Sequence, residues 1–177
     1  MFKTNNWIKS FVVILGSTLI GLMLATGAVA ENPEPVTVEV TFVDPITITE
    51  VNALQYGLLD QNLADTETIV IAPNSSVTDA SGRVVGGTQA AADLTVTATE
   101  SSTINILVDN IVNGTGYTLA TFICDYNTGP DTACDGAGFD VASIASATLR
   151  VGVTLTGNGL AVAGVANGRF DVTVSYQ

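Results

Sequence analysis

The chain has 177 residues, 47% of them hydrophobic, and carries five basic residues against seventeen acids, for a formal net charge of −12 and no histidine. That length suits a single domain, and the acidic balance repels nucleic-acid phosphates and anionic lipid head groups, so neither is expected as a partner. Without histidine, Ser-His-Asp and Cys-His catalysis and histidine-held metals drop out.

The N-terminal stretch, residues 1–30, is expected to be a secretory signal peptide. Lys3 and Lys9 make its start positive, residues 11–24 are apolar apart from small residues, and Ala28-Val29-Ala30 is an Ala-x-Ala site with cleavage after Ala30. The apolar run is short for a membrane span, and no later run offers a stop-transfer helix, so no membrane insertion is expected after cleavage. The mature chain, 31–177, is expected in the periplasm, at the cell surface or outside the cell. It keeps only Arg83, Arg150 and Arg169 against all seventeen acids, a net −14. It also has no lysine, which removes Schiff-base chemistry, phosphate-loop lysines and intramolecular isopeptide cross-links.

Residues 31–35 read as a mobile, Pro- and Glu-containing lead. Val36, Val38, Val40 and Phe42 then alternate with Thr37, Glu39, Thr41 and Val43, which predicts a strand closed by Asp44-Pro45. Two readings of it stay open: the first strand of its own sandwich, or a strand added to a neighbour's exposed sheet edge. A second strand is expected at 46–49, followed by Leu54 and Tyr56 within 53–57, and a third at 68–72, stopped by Pro73-Asn74. Residues 74–87 are turn-rich. Leu94, Val96 and Ala98, then Ile104, Ile106 and Val108, alternate with polar residues; a turn at 113–116 leads into a strand over 117–124. The chain closes with strand 147–155 and a hairpin over 149–177, in which Phe170, Val172, Val174 and Tyr176 alternate with Asp171, Thr173 and Ser175. Only 89–93 and 140–146 offer a helical turn, without the length or caps of a helix. Seven to nine short Val-, Ile- and Thr-rich strands at this spacing predict one all-β domain, an antiparallel immunoglobulin-like sandwich.

Cys124 and Cys134 enclose a loop of turn formers and, in an exported chain, read as a disulfide contributing roughly 2.5–3 kcal/mol. Asp125, Asn127, Asp131 and Asp135 cluster in and beside that loop. Oxygen ligands on a turn suit calcium, but the third acid and the closing bidentate glutamate of a calcium loop are missing, so turn formation is the plainer reading. Asn74-Ser75-Ser76 and Asn113-Gly114-Thr115 fit the glycosylation sequon and are equally ordinary turns. No carboxylate pair stands near a sugar-stacking aromatic, and the single tryptophan, Trp7, leaves with the signal peptide, so the chain reads as a non-enzyme needing no cofactor.

Ile46-Thr47-Ile48-Thr49-Glu50-Val51-Asn52-Ala53-Leu54-Gln55-Tyr56-Gly57 resembles the opening motif of the bacterial domain-of-unknown-function-4402 family. The closing pattern of that family is similar to Val151-Gly152-Val153-Thr154-Leu155 followed by residues 168–176. The resemblance implies a secreted, pilin-like β domain with no established activity. The end of the chain also resembles subunits of chaperone-assembled pili, through Tyr176 next to last and Gly164 upstream. Together these imply a structural subunit of a bacterial surface fibre or coat. Its partners would be copies of itself or related subunits, with a periplasmic chaperone. Val36, Val38, Val40 and Phe42 would form one contact surface, and Phe170, Val172, Val174 and Tyr176 the other. The alternative is a monomeric extracellular binding module, calcium-dependent through the acidic loop.

Overall fold

The computed structural model describes residues 37–177; the expected signal peptide, the expected lead and Val36 lie outside the described residues. By its contacts the chain divides into Met1–Thr41 and Phe42–Gln177, and all strands among the described residues fall in the second unit. The described residues form twelve: β1 (Thr47–Asn52), β2 (Leu58–Leu59), β3 (Thr68–Ile71), β4 (Val77–Asp79), β5 (Val84–Gly86), β6 (Ala92–Thr97), β7 (Thr103–Val112), β8 (Tyr117–Tyr126), β9 (Thr132–Ala133), β10 (Phe139–Ala142), β11 (Ser146–Gly157) and β12 (Arg169–Tyr176). No helix occurs among the described residues, and every pairing is antiparallel.

β11 is the axis of the larger, seven-stranded sheet. Its first half pairs with β6 and its second half with β3 along one edge, while β8 runs along nearly all of the other. Its centre, Val151-Gly152-Val153, is buried on both faces, so the simple alternation of a half-buried strand is lost there. Gly152 is required at this point: a Cβ would sit 2.5 Å from the Ile71 carbonyl oxygen and 2.7 Å from the Pro73 nitrogen. β1 flanks β6, β4 flanks β3 and β9 flanks β8. A second sheet has the order β10–β7–β12, and β2 pairs with β5 in a short ribbon.

The two larger sheets share one core. Ile104, Ile106 and Val108 of β7, and Leu94, Val96, Phe122, Leu149 and Leu155 of the larger sheet, are all buried. Phe122 also meets Phe170 of β12 edge to face, with ring centroids 5.1 Å apart. Cys124 and Cys134 are fully buried and bonded to each other, Cα to Cα 5.8 Å. The Cys134 carbonyl accepts the Val108 N–H at 2.7 Å, and its own N–H donates to the Phe122 carbonyl at 3.0 Å. The disulfide segment thereby ties β7 to the larger sheet.

Four expectations change. The closing hairpin does not exist: β11 and β12 lie in different sheets, because residues 158–168 make a crossing far longer than the short loops that join hairpin strands. No strand forms over the described part of 36–42; alternation selects a face but needs a partner edge to become a strand, and none is paired there. The turn-rich stretch 74–87 holds β4 and β5, and the two possible helical turns overlap strands instead, 89–93 the start of β6 and 140–146 the end of β10 and the first residue of β11.

Candidate functional site

β12 is an eight-residue strand that, among the described residues, pairs only with β7, which leaves its other edge free there. Its alternation places Phe170, Val172, Val174 and Tyr176 toward the core, yet all four are only half-buried, whereas the core-facing residues of β7 beside them are fully covered. The strand contains no proline and no lysine, two of the usual means by which an edge is kept from pairing.

Beside the Arg169–Val172 part of this edge the sandwich opens into a groove of about 1110 Å³. That is slightly above the usual range, roughly 300–1,000 Å³, of pockets that hold small ligands. Leu94 of β6, Leu119 of β8 and Leu155 of β11 contribute its apolar lining, with Leu54, Tyr56, Leu58 and Leu63 from the β1–β3 connection and Phe170 and Val172 from β12. Residues from 161–168 complete the rim. Local chemistry shapes each wall. Asn110 takes a left-handed φ of 49°, which creates the bulge between β7 and the start of β12, and its amide donates to the Asp171 carboxylate at 3.0 Å. Gly168 lies so close to Tyr117 that a Cβ would come within 2.9 Å of its hydroxyl. The Tyr117 hydroxyl donates to the Ala166 carbonyl at 3.3 Å.

The Tyr56 hydroxyl donates to the Val153 carbonyl at 2.7 Å. Burial, with the Tyr117 phenol adding to it, pushes the Tyr56 pKa upward, and burial also raises that of Tyr117. Both phenols are therefore neutral donors at ordinary pH. The charged residues lining the groove are Glu50, Asp60, Asp171 and a single cation, Arg169.

The first described residues present the opposite case, apolar side chains with nothing against them. Val38 is 79% exposed, Val40 66% and Phe42 90%. The chain becomes fixed at Asp44, whose N–H donates to Thr99 Oγ1 at 2.6 Å and whose carbonyl accepts the Tyr176 hydroxyl at 2.8 Å.

A family model for the domain of unknown function DUF4402 matches residues 46–176. The chain belongs to that family. No curated protein and no solved structure matches it. The matched span of this DUF4402 domain starts after the exposed residues 38–42 and includes β12 and the whole groove.

The other residues singled out in the sequence occupy separate places in the DUF4402 domain. Asp125 lies in β8, Asn127 takes a left-handed φ of 52° in the turn that follows, and Asp131 is exposed. Asp135 accepts a hydrogen bond from the Phe122 N–H at 3.3 Å. Among the described residues no three His, Cys, Asp or Glu side chains are grouped to hold a metal ion. Asn74 and Asn113 act as turn braces, accepting from the N–H groups of Ser76 and Leu119. Glu67 receives two hydrogen bonds from Arg83, at 2.8 and 2.9 Å, and Arg83 also reaches Asp60 at 3.6 Å.

Sequence reasoning named the β12 face of the groove but missed its opposite walls. Tyr56 and Leu54 were legible as apolar residues after the second strand, though not as lining. Leu58, Leu63 and residues 161–168 carry no periodicity that marks them. The runs of glycine and alanine in 161–168 were the one available signal of a close backbone approach.

Proposed function

We propose that this DUF4402 domain is a structural subunit of a bacterial surface fibre or coat that assembles by β-strand addition. One observation carries the reading: β12 has a free edge and a half-covered inner face beside an apolar groove. An extended chain added there gains main-chain hydrogen bonds from the edge, and its alternate side chains enter the uncovered core. The exposed alternation of Val38, Val40 and Phe42 has the matching form. A signal peptide over residues 1–30 would deliver the subunit to the periplasm. There a chaperone that supplies a temporary strand would keep the edge covered before assembly. The net −14 of the mature chain keeps a concentrated exported subunit soluble.

The test is to size the mature chain, residues 31–177, over a range of concentrations. Multimers are expected, and deleting residues 31–42 abolishes them. Thr173→Lys, on the outward face of β12, also suppresses assembly while changing folding stability by no more than about 0.5 kcal/mol. A mature chain that is monomeric at every concentration, and unaltered by the deletion, overturns the proposal in favour of a monomeric extracellular binding module.

A further inference from the structure

The geometry points to the occupant of the groove: residues 39–43 of a second copy of this chain, lying parallel to β12 with Glu39 level with Arg169. This inference rests on the strand-addition reading and adds the partner, the direction and the register.

Charge selects the register. With the apolar residues of the segment facing the core, Glu39 shares the outward face with Arg169, Asp171, Thr173 and Ser175 of β12. A carboxylate level with Asp171 is repelled, and one level with Arg169 is attracted. Arg169 is exposed and has no ion-pair partner among the described residues, whereas Arg83 is already engaged by Glu67 and Asp60. Arg150 lies in β11, with strands on both sides, and is out of reach of an edge.

Direction follows from where β12 begins. In the parallel sense, residues 39–43 run beside 169–173, wholly within β12, and Val40 and Phe42 come level with Phe170 and Val172 at the groove. In the antiparallel sense, with the same charge pair, residues 40–42 run past the start of the strand along 166–168, where no strand edge offers a ladder.

The anchor at Asp44 argues for a second copy over the same chain. Asp44 is held by the Tyr176 hydroxyl at the far end of β12. Five residues separate Glu39 from Asp44, a reach of about 17 Å, while seven separate Arg169 from Tyr176, about 23 Å. A segment held at that anchor is too short to bring Glu39 of its own chain level with Arg169; at full extension its reach ends at Asp171, the repelled position. A second copy has no such tether.

Two charge reversals test this on the mature chain at low salt. E39R alone sets two arginines level, and R169E alone sets two glutamates level. Each is expected to raise the concentration for half-assembly about tenfold. Mixed in equal amounts they restore the parent value, because every contact between unlike copies then joins opposite charges. As a second readout, the advantage of the parent over E39Q or R169Q in assembly shrinks with added salt, because only the parent has the pair to screen. If the parent assembles but the mixture is no better than either variant alone, register and partner are wrong and strand addition stands. If the parent stays monomeric and E39R raises its melting temperature, by turning the repulsion from Asp171 into an attraction, the segment docks on its own chain and the inference falls. If the parent is monomeric and both variants are inert, the strand-addition reading fails with it.

Discussion

β11 and β12 have similar compositions and opposite fates. β11 has strands along both edges, and at its centre both faces are covered; β12 has one neighbour, and its inner face is half open. The contrast shows that alternation alone does not tell a finished core strand from an unfinished one. What separates them is the number of partners, which is a property of topology. On one side of the sandwich β9 extends β8, and the disulfide segment ties β8 to β7. The side between β1 and β12, where the groove lies and Val51 is exposed, is the side with room for another strand.

The largest effects that test this contrast come from the closed side. Leu149→Ala in β11, at a fully buried site, should cost about 3 kcal/mol in urea unfolding, and Val172→Ala at the groove about 1 kcal/mol. Equal losses at the two positions would break the comparison. Replacing both Cys124 and Cys134 by alanine should lower stability by roughly 2.5–3 kcal/mol, through lost loop constraint, in thermal or urea unfolding. Assembly of the folded fraction should be unchanged, since neither cysteine lines the groove.

The smallest effect is acidic. The Arg83 guanidinium, the Ala64 N–H and the Ser81 hydroxyl hold the Glu67 carboxyl down at about 2, from 4.5. A depressed carboxylate contributes stability that is fully present above its unfolded value and lost as pH falls through its folded one. A small decline in melting temperature from pH 4.5 toward 2 is therefore expected, and Glu67→Gln should flatten it.

Much of the architecture was legible in the sequence. The all-β antiparallel class followed from short Val-, Ile- and Thr-rich runs between turns, and the disulfide from two cysteines around a loop of turn formers. Strand partnership was not legible. Leu149 and Phe170 look like neighbours in one hairpin, and only long-range pairing, β11 with β3, β6 and β8 and β12 with β7, sends them to different sheets. The groove was half legible for the same reason. Phe170 and Val172 are marked by alternation, but Leu58 and residues 161–168 gain meaning only from the folded loops that bring them together.

The central place of β11 also bears on how the chain folds. Each strand it pairs with comes earlier in the sequence, as far back as Thr68, which lies beside Thr156. The larger sheet therefore cannot close until the chain is made through residue 157, and closure brings distant segments together at a high entropic cost. Folding on a millisecond-to-second scale is expected for so non-local a topology. Until β11 arrives, β3, β6 and β8 present unpaired edges, so incomplete chains are the species most exposed to misassembly.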